Sequence, residues 1–341
     1  MQIKITRTLG ALLLILLTTA CFYTSVNLNP NLFGGSNELR EKELFNDGET
    51  GEGCACLFPF WSPTPPPKVL LIPITGVIGT GSFFSRGEVI SPSIVQRILD
   101  RAEDDSTIQA LILKIDSPGG TVTGSDQIYE LIRRFAKKKK LPVYAHIDGI
   151  GASGGYYIAV AAPHINAGPT SLVGSIGVIL SGFNIKGLLE KLGIRRRAIA
   201  SGPNKSIFSP YRDLTPEQTE HLRKQILTNY ERFLRKILST RANRLKEKEL
   251  RAAADGNVYD ANRARELKLI DSVSYFRDYI DYIKKDRKFK HVRITAYLPE
   301  GTSAENLFDA RTPVRPGGNI IERMLGTDAA GLLYLWQGIR K

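Results

Sequence analysis

From residue 69 onward the chain alternates between two kinds of apolar pattern. Val69, Leu70, Leu71, Ile72 and Ile74 form a short, nearly continuous apolar run of the kind seen in buried strands, and residues 110–115 and 143–147 repeat it. Between these runs, Ile94, Ile98 and Leu99, and then Ile128, Leu131, Ile132 and Phe135, recur at helical spacing; residues 153–162 read as a further helix. Strands separated by helices of this length predict βαβ crossovers and a largely parallel sheet, an α/β fold. A long helix is predicted from Pro216, a good first-turn residue after Thr215, with Leu222, Ile226, Tyr230, Phe233 and Ile237 on one face. No internal repeat is visible.

The flanks read differently. In residues 1–26, Lys4 and Arg7 precede an apolar run from Leu9 through Leu17 towards Phe22. That segment approaches the about 20 residues a helix needs to span a bilayer, and its cations lie on the N-terminal side. A signal anchor is predicted, with the remainder on the non-cytoplasmic side. A competing reading takes Leu17, Thr18, Thr19, Ala20 and Cys21 as an imperfect lipobox that would make Cys21 a lipidated N-terminus. Residues 27–67, rich in Asn, Gly, Glu and Pro, read as a spacer, residues 68–285 as the folded domain, and residues 286–341 as a C-terminal extension. Cys54 and Cys56, separated only by Ala55, cannot easily reach disulfide geometry with each other, and no CxxC pair suggests a metal.

Composition narrows the class. At 341 residues, 42% hydrophobic and 24% charged, the chain matches an ordinary globular protein and neither a polytopic membrane protein nor a disordered one. A formal net charge of +13 invites a nucleic-acid reading, but the densest run, lysines 137–140, follows an amphipathic stretch and precedes Leu141 and Pro142. That is a helix C-terminus whose dipole favours cations, so no nucleic-acid partner is expected. Basic charge on a tethered domain would also suit an anionic lipid surface.

Two glycine-rich turns carry the candidate chemistry. Asp116, Ser117, Pro118, Gly119 and Gly120 follow a strand; paired glycines there let backbone N–H groups turn outward as half of an oxyanion hole, or simply make a tight turn. Gly149, Ile150, Gly151, Ala152, Ser153, Gly154, Gly155 and Tyr156 again join a strand to a helical pattern. A serine flanked by small residues at a helix start is sterically open, and the unpaired N–H groups favour the negative charge that acyl transfer to Ser153 would generate. An N-capping serine is the plainer alternative. A hydroxyl nucleophile needs a base. The histidines are poorly placed, although His146 with Asp148 or Asp116 leaves a Ser/His/Asp arrangement open. Lys205 lies in a small-residue loop, Ser201 to Phe208, bordered by apolar groups. Burial there would let it lose its proton near neutral pH and act as base.

Taken in order, SPGG, GxxASGGYY, GSIGV at residues 174–178, SGxxK at residues 201–205 and ADGNVYDANRARELKLID at residues 254–271 resemble the signal peptide peptidase A family, the Ser/Lys peptidases of family S49. The resemblance implies a ClpP/crotonase-like fold with a mostly parallel sheet and flanking helices. It implies Ser153 as nucleophile, Lys205 as general base, Ser175 as the residue orienting that lysine, and the N–H groups of Gly120 and Gly154 as the oxyanion hole. It also implies homo-oligomers whose sites are completed between subunits, signal-peptide remnants in the membrane as substrates, and no metal or other cofactor. An extended peptide is expected to lie beside the site as an added strand. The rival expectations are a crotonase-type acyl-CoA enzyme, which the Ser/Lys pair and the anchor argue against, and a catalytically silent scaffold of the same fold, which the intact motifs argue against.

Overall fold

The computed structural model describes residues 39–48, 65–79, 89–299, 304, 306–309 and 333–335. The predicted anchor with Cys21, as well as Cys54 and Cys56, lies outside them; no described helix is long and apolar enough to cross a membrane. In chain order the strands are β1 (Leu39–Asn46), β2 (Lys68–Ile78), β3 (Val89–Ile90), β4 (Ile108–Thr121), β5 (Val143–Ala152), β6 (His164–Ala167), β7 (Leu172–Gly174), β8 (Val258–Asp260), β9 (Ser272–Val273), β10 (Arg293–Pro299) and β11 (Leu333–Leu335). The helices are α1 (Pro92–Glu103), α2 (Val122–Lys139), α3 (Gly154–Ala159), α4 (Lys186–Lys191), α5 (Pro216–Arg241), α6 (Glu247–Ala253), α7 (Ala261–Glu266) and α8 (Phe276–Arg287).

The sheet runs β1-β10-β2-β4-β5-β6-β9, and it is parallel from β10 to β9 with α1 and α2 as crossovers, the predicted α/β arrangement. Strand periodicity sorts its side chains onto two faces. Leu70, Ile72, Leu111, Leu113, Ala145 and Ile147 join the larger core, which also takes in α1, α2, α3 and α5. Val69, Leu71, Ala110, Ile112 and Tyr144 face α8 through Phe276, Tyr279, Ile280 and Ile283. Both faces are therefore covered, which explains why these strands read as continuous apolar runs. Helix ends follow the sequence signals. Thr215 and Gln218 close a capping box on α5, and α2 stops at Lys140, a left-handed cap with φ 56°, after three lysines in its last turn. Helix α3 is shorter than residues 153–162, because its end tightens into i−3 bonds from Ala161 to Ile158 and from Ala162 to Ala159.

The sheet takes in more of the chain than the sequence suggested. Residues 39–46, inside the stretch read as a spacer, form β1, antiparallel to β10; β10 itself lies in the stretch read as an extension. Only Leu44 of β1 is buried, so this edge strand carries no alternating apolar pattern to read.

The far end of the last family-like motif is a buried ion pair. Asp271 accepts from Arg241 at 3.0 and 3.1 Å, from Arg244 at 2.7 Å and from the Ile165 N–H at 2.8 Å, joining α5 to β6. Burial alone would raise the Asp271 carboxyl, but Arg241, the Ile165 N–H and Arg244 hold it below its ordinary value. Asp271→Asn leaves the fully buried Arg241 without its counter-charge and should cost about 3–5 kcal/mol in chemical denaturation at pH 7. The sign with pH follows: the carboxylate contribution is complete above the unfolded value of ~3.9 and is lost as the pH falls through the lower folded one. The gap between wild type and variant should therefore shrink below about pH 4; a gap constant from pH 7 to pH 2 contradicts this assignment.

Candidate active site

The two glycine-rich turns meet at the C-terminal ends of β4 and β5. Strand β5 pairs with β4 through Ser117↔Gly151 and then turns into α3 at Ser153. Ser153 is buried and adopts φ 51°, ψ −113°, a conformation that side chains resist. Its N–H donates to the Gly174 carbonyl at 2.7 Å, and its carbonyl accepts from the Tyr157 N–H at 2.9 Å, so strand and helix each hold one side of the turn. Tyr156 anchors α3 by donating to the Leu269 carbonyl at 2.7 Å, and Tyr157 donates to Asp126 on α2 at 2.6 Å.

Close packing explains the glycines. A Cβ on Gly120 would stand 1.9 Å from the Ile78 carbonyl oxygen, and one on Gly155 2.6 Å from that of Ser117. The SPGG turn, β2 and the start of α3 thus touch backbone to backbone, which places Gly120 and Gly154 around the same corner as Ser153.

Ser175 reaches the corner from the other side. Ala152 pairs with Gly174, which sets Ser153 and Ser175 at the ends of adjacent strands β5 and β7. Ser175 also has a left-handed φ, 48°, and its N–H donates to the Asn257 carbonyl at 2.6 Å. Asn257 is in turn held by Asp255, which accepts from its N–H at 3.0 Å and its side-chain amide at 2.6 Å. The D-G-N portion of the late motif thereby supports Ser175, a contact that linear reading had no means to find.

Lys205 is placed differently from expectation. Its loop was predicted to bury it; within one chain it is exposed, and no residue from 177 to 217 is buried. The physical reason is that the apolar groups of this stretch, among them Phe183, Leu188, Leu192, Ile199 and Phe208, are themselves exposed and cover nothing. Among the described residues no hydrogen bond joins Lys205 to Ser153. The loop is nonetheless fixed: Gln218, buried at the start of α5, donates to the Pro203 carbonyl at 2.8 Å and the Asn204 side chain at 3.2 Å. Gln218 was missed as a support for the Lys205 loop, although the T-x-x-Q capping box marks it in the sequence.

The histidine alternative loses ground. His146 sits on the α8 face of the sheet, in a row with Lys114 and Asn166 across β4, β5 and β6. Its Nδ1 is 2.8 Å from Asn166 Nδ2, its Nε2 3.6 Å from Asp148, and its ring stacks on Phe276. Burial pushes the imidazole below its ordinary value, and the His146 ring, with Lys114, draws the Asp148 carboxyl down to about 2. Among the described residues no hydrogen bond links this ring to Ser153; it packs the sheet against α8.

Known proteins resemble this chain over the stretch that carries Ser153. The model of peptidase family S49 matches residues 135–290, and that of Clp protease matches residues 87–169. An Enterococcus faecium protein carrying the name of a signal peptide peptidase SppA is 32% identical over 279 residues, 80% of this chain and 74% of that protein. The chain belongs to peptidase family S49. A Synechocystis protein named as a protease is 37% identical over 211 residues, 62% of this chain and 71% of that protein. A chloroplastic serine protease SPPA of Arabidopsis thaliana is 33% identical over 186 residues, 54% of this chain and 27% of that protein. This S49 chain is a serine-type peptidase with a Clp-protease-like α/β domain.

Finally, β11 occupies the site's edge. It pairs antiparallel with β4 through Leu333↔Thr121, Tyr334↔Gly120 and Leu335↔Gly119. Strand β2 already holds one side of these residues, so β11 takes the side that β5 leaves after Gly151, and it also lies against α3.

Proposed function

We propose that this S49 peptidase is a membrane-anchored endopeptidase in which Ser153 is the nucleophile and Lys205 the general base, acting on signal-peptide remnants in the membrane. The observation that carries the reading is the conformation of Ser153: a serine held at left-handed φ between a strand and a helix, against a Gly–Gly turn. Neutral Lys205 takes the Ser153 hydroxyl proton as Oγ bonds to the scissile carbonyl carbon. The oxyanion is held by the N–H groups of Gly120 and Gly154. The carbon–nitrogen bond then breaks, and Lys205 returns the proton to the leaving amine. Water repeats the sequence on the acyl-enzyme and frees Ser153.

A second copy of the chain completes the site. The exposed apolar stretch carrying Lys205 is a surface that association buries, and a desolvated lysine gives up its proton more readily than a hydrated one. Ser175 orients that lysine. The anchor in residues 1–26 keeps the catalytic domain at the non-cytoplasmic membrane surface, with lipidated Cys21 as the alternative tether. A fluorophosphonate probe should label wild type and neither Ser153→Ala nor Lys205→Ala; equal labelling of all three removes the assignment.

The substrate lies along β4 as an added antiparallel strand, in the register that β11 adopts. If peptide and β11 compete for that edge, deleting residues 330–341 should lower KM for a peptide several-fold and leave kcat within about twofold, since only ground-state access changes. A kcat that collapses with the deletion would assign this segment to the catalytic machinery instead.

A further inference from the structure

We propose that Ser117 is a positioning residue whose hydroxyl fixes the Gly119–Gly120 turn, and with it the oxyanion donor of Gly120, relative to Ser153. The inference rests on the reading of Ser153 as nucleophile and concerns a residue that chemistry there does not touch. Ser117 is fully buried where two register breaks converge, between Thr75 and Val77 on β2 and between Ile115 and Ser117 at the β4–β5 pairing. The break on β2 falls at Gly76, φ 79°, whose carbonyl accepts the Ser117 hydroxyl proton at 2.6 Å. With its one proton committed there, the hydroxyl oxygen accepts from the Gly119 N–H at 3.1 Å.

That second bond holds an otherwise loose peptide. Gly119 sits at φ 103° and is followed by another glycine, so no Cβ resists rotation of the unit that carries the Gly120 N–H. The Ser117 bond restrains it from one end, and the contact of Gly120 with the Ile78 carbonyl restrains it from the other. The Ser117 carbonyl, meanwhile, lies under Gly155, one residue beyond the second oxyanion donor. One buried serine therefore references both donors to each other. Transition-state stabilisation by such donors depends on their being aimed before the charge develops, so a donor that wanders loses part of its effect without changing how peptide is bound.

The test is steady-state turnover normalised to active sites counted by covalent titration. Ser117→Ala should lower kcat per titrated site about 10- to 100-fold, less than the loss from deleting a donor outright, with KM within about twofold. A peptide aldehyde, whose adduct with Ser153 places an oxyanion at the donors, should weaken by the same factor as kcat. A peptide bound without covalent attachment to the Ser153→Ala background should keep its affinity. Ser117→Cys, close in volume and a weak donor and acceptor, gives the same readout if the alanine variant does not fold, and should share its defect. A merely structural serine would lower the melting temperature and the number of titratable sites and leave kcat per site unchanged; that result overturns the proposal. Residual turnover in Ser153→Ala would sink the nucleophile reading beneath it, whereas a dead Ser153→Ala beside a wild-type kcat in Ser117→Ala sinks this inference alone.

Discussion

Ser153→Ala should lose peptide turnover by roughly 10⁴-fold or more, the order found when a serine nucleophile is removed, with the fold intact. The side chain that is lost is one hydroxyl, while the backbone bonds to Gly174 and Tyr157 that shape the turn remain. The strain gives this prediction a second, independent signature. At φ 51°, ψ −113° any residue with a Cβ is disfavoured, and the mirror-image conformation at negative φ is an ordinary one, so glycine alone adopts both freely. Ser153→Gly should therefore be as inactive as Ser153→Ala yet more stable than it, by about 1 kcal/mol. Thermal melts of the two variants check this. An alanine variant that is the more stable would mean that the turn relaxes and that no strain is stored at Ser153.

Lys205→Ala should be nearly as damaging, with a loss of about 10²- to 10⁴-fold in kcat, the range of a positioned general base, and no loss of stability. Stability is spared because Lys205 is exposed in the single chain and, among the described residues, its ammonium forms no ion pair. Lys205→Arg should be as impaired as the alanine variant, because guanidinium stays charged at any pH the protein tolerates and cannot accept a proton. A Lys205→Arg enzyme with wild-type turnover would assign the residue a purely electrostatic part.

The βαβ frame was legible because its signal is local. Buried parallel strands are apolar throughout, their helices repeat every third or fourth residue, and α5 announces itself with Thr215, Pro216 and Gln218. Strand β1 was not, since seven of its eight residues are not buried and its pairing with β10 closes from the far end of the chain. The same division runs through the site. The corner formed by the SPGG and SGG turns could be inferred because adjacent parallel strands end together. The supports of that corner come from contacts distant in sequence: Gly76 to Ser117, Asn257 to Ser175, and Gln218 to the loop before Lys205. Lys205 shows the boundary most plainly. Apolar neighbours in sequence suggested burial, but Phe208 and its companions are themselves exposed in the single chain and leave Lys205 exposed with them.

The central claim, that nucleophile and base meet across a boundary between copies, has one direct test. Ser153→Ala and Lys205→Ala chains, each inactive alone, are coexpressed and purified as mixed oligomers, and peptide turnover is measured. The account predicts that activity returns, because some sites then pair an intact Ser153 from one chain with an intact Lys205 from another. Mixed oligomers as inactive as either parent would contradict it.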